Sequence, residues 1–196
     1  MSGSVLSSPD EIRAFISQRV AEGFDAEDDI VEETLEYFEE EYGEDPAFLP
    51  LVQKMVIELL DLHLQEQSKW AEETDCDKLD QAFDELEQNG IVSRQNFTCC
   101  QTCGHAEIWE EVEQAKQDSE IKGYVFYHWQ DTERVVEEGI LYLAYGALDS
   151  TDDATRAVAQ SIVDTIQKHG FKVDWNGSLD KRICIEDIKW RRRRSA

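Results

Sequence analysis

The residues of this chain best suited to metal or nucleophilic chemistry are five cysteines, Cys76, Cys99, Cys100, Cys103 and Cys184, and four histidines, His63, His105, His128 and His169. Cys100-Gln101-Thr102-Cys103 has C-x-x-C spacing, which lets two thiolates converge on one metal or exchange a disulfide across a tight turn. His105 follows two residues later as a third ligand. A fourth must come through the fold, and His128 is the one we select, giving a structural-zinc set of Cys100, Cys103, His105 and His128. Thiolates favour zinc over magnesium or calcium. Adjacent Cys99 and Cys100 are awkward as joint ligands, because on a strand their side chains point to opposite faces.

The same residues permit two other readings. A thiolate from Cys99, Cys100 or Cys103 with His128 or His105 as base, oriented by Asp131, has the composition of a nucleophilic site: the imidazole lowers the thiol pKa and the carboxylate fixes the tautomer. Thiol redox chemistry of the thioredoxin kind wants the C-x-x-C to open a helix behind a buried strand, and Val92-Ser93-Arg94-Gln95-Asn96 reads as too polar for that strand. Free cysteines also pack as small apolar groups. All three readings stay open. The odd number of cysteines, with no charged and then apolar leader pattern in Met1–Ser8, argues against a disulfide framework. Glycine-rich phosphate loops, H-E-x-x-H and G-x-S-x-G are absent.

The first half of the chain reads as helices. Ser8-Pro9-Asp10-Glu11 caps one that ends at Gly23, and Ile30 to Tyr42 forms a second stripe ending at Gly43. Asp45-Pro46 opens a third that runs to about Trp70, with Pro50 as a candidate kink, and Asp75 caps a fourth that stops at Asn89-Gly90. Beyond Gly90 the period changes. Gly123–Trp129 and Ile140–Tyr145 are short, aromatic, β-branched runs that suit strands. Ser150–Asp153 caps a long helix closed by Gly170, and Phe171–Trp175 pairs with Arg182–Ile185 through an Asn176-Gly177 turn. The fold class expected is α+β: an acidic helical half over residues 1–75, a small sheet with helices packed on one face over 76–190, and a basic tail over 191–196.

Asn96-Phe97-Thr98-Cys99-Cys100-Gln101-Thr102-Cys103-Gly104-His105-Ala106-Glu107, then Gly123-Tyr124-Val125-Phe126-Tyr127-His128 with Gln130–Glu133, resemble a family of uncharacterised bacterial proteins, a domain of unknown function. Leu141–Gly146 and Val173–Ser178 belong to the same resemblance, which covers roughly residues 79–185. It implies a bacterial intracellular origin and transfers no site.

Charge narrows the partners. The chain carries a net charge of −25, and residues 1–89 hold 26 acids against 5 bases, residues 90–196 only 18 against 14. Such a field excludes DNA and RNA from the acidic half and favours a basic protein partner. Arg191–Arg194 reads as a tether to the acidic helices or as a solvated tail. No apolar run approaches the roughly 20 residues of a membrane span, so a cytoplasmic location is expected. The function expected is a non-enzymatic interaction or regulatory module with a Cys/His structural zinc site; the alternative is a cysteine-dependent enzyme or thiol redox protein.

Overall fold

The computed structural model describes residues 7–195; residues 1–6, which make up most of the segment read for a leader, and residue 196 lie outside the described residues. Two compact units divide the chain. The residues up to Glu72 join those from Arg191 onward, and Glu73–Trp190 form the other.

The first unit consists of α1 (Pro9–Glu22), α2 (Glu27–Tyr37), α3 (Glu39–Tyr42) and α4 (Phe48–Gln67). Reciprocal caps start α1: the Ser8 N–H donates to Glu11 Oε2 at 2.5 Å and the Glu11 N–H to Ser8 Oγ at 3.3 Å. The stripe expected to run unbroken to Gly43 is instead interrupted at Phe38, whose φ of −102° leaves the helix, and whose ring packs edge-on against Phe15 and Phe48. Likewise α4 begins at Phe48 and not at Asp45-Pro46. Pro50 falls in its first turn, where an N–H has no intrahelical acceptor to lose, and the helix continues through it to Gln67. Ile12, Ile16, Ile30, Val52 and Val56 are fully buried between these helices.

The arginine tail lies in this same unit. The Arg192 guanidinium sits 4.4 Å from the Phe24 ring centroid, and its side chain fills the space where a Cβ on Gly23 would stand, 2.8 Å from Cγ. Gln67 brackets Arg194 through its amide, donating to the carbonyl at 3.0 Å and accepting from the N–H at 2.8 Å. Arg194 in turn donates to the carbonyl of Val20, in the last turn of α1, and to that of Asp25 in the link to α2.

The second unit runs α5 (Asp75–Gln88), β1 (Ile91–Arg94), α6 (Gln101–Ala115), β2 (Gly123–Phe126), α7 (Trp129–Glu138), β3 (Leu141–Ala147), α8 (Asp152–Lys168), β4 (Lys172–Asp174) and β5 (Ile183–Glu186). The class is α+β. Its strands order β1-β2-β3-β5-β4, with β1 and β2 parallel and the other pairs antiparallel. Thr74, not Asp75, caps α5, its Oγ1 accepting from the Asp77 N–H at 3.2 Å. The link between β4 and β5 spans residues 175–182, one residue longer at each end than expected, with Gly177 inside it at φ +80°.

Most informative is β1, which its polar sequence disguised. Ser93 satisfies its hydroxyl on the Ile91 carbonyl at 2.8 Å, and Arg94 is held by Glu87 at 2.5 Å and Glu111 at 2.6 Å. With those groups paired locally, the strand can enter the core. Helices α5 and α8 cover one sheet face, where Phe83 meets Tyr127 and Val158 meets Gly123. On the opposite face α6 covers β1, β2 and Ala144 of β3, burying Val92, Ile108, Val112, Tyr124 and Phe126. The rest of that face, from Tyr142 of β3 across β5 and β4, is left open beside the start of α6.

Contact between α6 and the sheet depends on Gly104. A Cβ there would stand 2.3 Å from Cε2 and 2.6 Å from Cζ of Phe126, whose ring is itself fully buried. Gly104→Ala should therefore destabilise the second unit by about 1–3 kcal/mol through overpacking. Urea denaturation followed by near-ultraviolet circular dichroism measures this; an unchanged midpoint would mean that α6 lifts away at no cost.

Candidate functional site

Two loops bring the candidate residues together at the carboxyl ends of the parallel strands, the end where open α/β sheets bind ligands. The loop from β1 to α6 is laced to the link from β2 to α7: the Phe97 N–H donates to the Tyr127 carbonyl at 2.8 Å and the Trp129 N–H to the Thr98 carbonyl at 3.1 Å. Thr132 Oγ1 adds a 2.7 Å bond to Asn96 Oδ1. Asn96 and Thr98 occupy the left-handed region at φ +50° and +59°. For a β-branched threonine that conformation costs on the order of 1–3 kcal/mol, which the lacing holds in place.

The strained loop delivers Cys100 as the N-cap of α6, in extended conformation. From there the first helical turn carries Cys103 round to the same side, and the three sulfurs of Cys99, Cys100 and Cys103 lie within 4.8 Å of one another. The Cys99 and Cys103 sulfurs are 3.5 Å apart. A helix start thus unites the adjacent pair that a strand would have separated. Such a triad of thiols could hold a metal ion. Neither His105 nor His128 joins it among the described residues. Once the C-x-x-C opens a helix, His105 lies two positions beyond Cys103 and faces elsewhere. It contacts the Tyr124 hydroxyl at 3.2 Å through Nδ1 and Gln101 at 3.4 Å through Nε2.

Of the five cysteines only Cys76 is enclosed; Cys99 is exposed, and Cys100 and Cys103 are half-buried. Their acidities diverge. Backbone N–H groups at the head of α6, that of Cys103 foremost, hold the Cys100 thiol below its ordinary range, with contacts from Cys103 and Cys99 sulfurs adding to the effect. Hydrogen bonding with Cys99 and Cys100 pushes Cys103 up to about 11.

Cys100 also lines a cleft of about 890 Å³ over the open part of the sheet, whose walls include His128, Asp131, Tyr142, Arg182 and Cys184. His128 caps α7 and is buried, as is Asp131 one turn on. The His128 Nε2 lies 3.1 Å from Asp131 Oδ2, while its Nδ1 is buried with no hydrogen-bond partner. Burial outweighs the neighbouring carboxylate and holds the imidazole pKa below its usual value, so the ring is neutral near pH 7, with Nε2 donating to Asp131 and Nδ1 presenting a lone pair. Asp131 is gripped from the other side by both terminal nitrogens of Arg182, one at 3.0 Å.

His128 and Asp131 were thus legible as a pair, while Arg182, Arg134, Tyr142 and Cys184 were not read as site residues. The only sequence signal for Arg182 was its place beside the Asn176-Gly177 turn. His63 contacts the Arg192 carbonyl at 3.3 Å in the first unit, apart from this cleft. No helix among the described residues is long and apolar enough to cross a membrane.

Comparison with known proteins extends the resemblance read from the motifs. No curated protein and no solved structure matches the chain. One family profile does match, over residues 7–194, so the relationship takes in the acidic helices as well as the α+β unit and reaches well beyond residues 79–185. On that span the protein is a member of the family described as a domain of unknown function, DUF6891.

Proposed function

We propose that the chain is a thiol–disulfide exchange protein in which Cys100 is the nucleophile and Cys103 the resolving thiol. The observation that carries this reading is the three-thiol cluster at the head of α6, one member of which opens onto a cleft. In the first step the Cys100 thiol, its anion held by backbone N–H groups at the head of α6, gives its proton to solvent, and the thiolate attacks one sulfur of a bound disulfide. A Cys100–substrate disulfide forms, the substrate S–S bond breaks, and the leaving thiolate takes a proton from solvent. Cys103 then attacks Cys100 Sγ, its proton passing to the second leaving thiolate. The products are two substrate thiols and a Cys100–Cys103 disulfide; a dithiol from outside must re-reduce the protein before another turnover.

Cys103→Ser tests the order of events. With a small disulfide, the variant should accumulate a mixed disulfide on Cys100 seen by intact mass, while the natural chain proceeds to the internal disulfide. Mixed disulfide on Cys99 alone, or none, would defeat the assignment. The same three thiolates favour a second reading, a soft-metal site, since sulfur donors suit zinc or copper(I). About one equivalent of zinc or copper in untreated protein, with exchange seen only after chelation, would make metal binding the resident role.

A further inference from the structure

We infer that the cleft beside Cys100 takes a small disulfide bearing carboxylates, an inference that rests on the exchange reading for its chemistry but on independent residues for its charge. The chain as a whole is strongly acidic at −25, yet the cleft lining sets Arg134, Lys181 and Arg182 against Asp131, Asp174 and Glu186, with the two arginines grouped beside Tyr142. Arg182 and Arg134 both lie against Tyr142, with guanidinium carbons 5.6 and 5.7 Å from its ring centroid. Arg182 commits its terminal nitrogens to Asp131 and to the Tyr142 carbonyl, while its Nε is buried without a partner. Arg134 reaches only Glu138, at 3.5 Å, and Lys181 forms no ion pair among the described residues.

The cleft's acids are already engaged or remote. Asp131 is consumed by Arg182 and His128, and Glu186 is paired with Lys172 at 2.8 Å. Asp174 stands on β4, two strands beyond Tyr142 at the sheet edge, roughly 10 Å away at ordinary strand spacing. Among the lining residues, then, the loosely held cations are Arg134 and Lys181, while the one acid without an ion pair, Asp174, stands at the sheet edge. A cleft of about 890 Å³ suits a molecule of small-peptide size.

The test compares three symmetrical disulfides in single-turnover oxidation of the reduced protein: dithiodipropionate with two carboxylates, neutral hydroxyethyl disulfide, and cystamine with two ammonium groups. Each rate is divided by that for free dithiothreitol, which removes differences in leaving thiol. Dithiodipropionate should be favoured over the neutral compound by about fivefold to tenfold, with cystamine slowest, and the preference should shrink with salt. Arg134→Ala combined with Lys181→Ala, both exposed positions, should bring the ratio to within about twofold of unity. The charge of the whole molecule predicts the reverse order, so a preference for cystamine, or none, overturns the inference. Calorimetry with suberate, a sulfur-free dicarboxylate, on Cys100→Ser separates the two claims. Binding there that Arg134→Ala and Lys181→Ala abolish upholds the cleft's charge selection even if none of the disulfides reacts, whereas absence of binding defeats it even if all of them do.

Discussion

Replacing Cys100 by serine should slow disulfide exchange at pH 7 by at least about tenfold, and Cys103→Ser should leave the first bond-forming step fast. Hydrogen bonding with Cys99 and Cys100 pushes Cys103 up to about 11, while backbone N–H groups at the head of α6 hold Cys100 below the ordinary value. Near neutral pH the anion of the cluster therefore resides on Cys100 in preference to Cys103. The more basic sulfur is intrinsically the better nucleophile, but a Brønsted slope of about 0.4–0.5 returns only part of that difference in abundance. Stopped-flow loss of thiol against pH, in single-cysteine backgrounds, reads this directly: the Cys100 rate should level off at a lower pH than that of Cys103. If Cys99→Ser removes the fast phase instead, the nucleophile is the exposed sulfur and the cleft is not the site of attack.

Asp131→Ala should destabilise the second unit by about 3–5 kcal/mol, the cost of stripping one partner from a buried ion pair. The Asp131 side chain is only 4% exposed, and it gathers the Arg182 fork, the His128 N–H at 3.2 Å and the His128 ring. Truncation leaves a largely enclosed guanidinium and a buried imidazole without their common acceptor. Asp131→Asn keeps an acceptor for one of those donors and should cost less. Urea denaturation of both variants decides; a loss below about 1 kcal/mol for the alanine change would mean that Arg182 finds another carboxylate.

What could be read before the structure follows from how local each signal is. The caps at Ser8 and Thr151 satisfy N–H groups three residues away, so the starts of α1 and α8 were visible in a few letters. The thiol cluster was only half visible. Whether Cys99 and Cys100 diverge or converge depends on one dihedral event, the left-handed Thr98, and on the helix that follows; the same event sends His105 to Tyr124. β1 was hidden because its Ser93 hydroxyl is satisfied by the Ile91 carbonyl and its Arg94 by Glu87 and Glu111, one before the strand and one after it. Arg182 was hidden for a different reason: its reach to Asp131 and Tyr142 exists only once β3 and β5 pair in the register that sets Tyr142 opposite Cys184.

The docked tail has a consequence for how the molecule is made. Residues 191–195 belong to the helical unit, yet the ribosome adds them only after all of Glu73–Trp190. During synthesis α1 and α4 emerge first, but the carbonyls of Val20 and Asp25 and the amide of Gln67 wait in water for Arg194. At about 5–20 residues per second that wait lasts on the order of ten seconds, far longer than helix formation or a hydrophobic collapse takes. The nascent helical unit is thus held incomplete for nearly the whole of synthesis, and because β5, an interior strand of the other unit, is added only a few residues before the tail, the two units reach completion together although one begins long before the other.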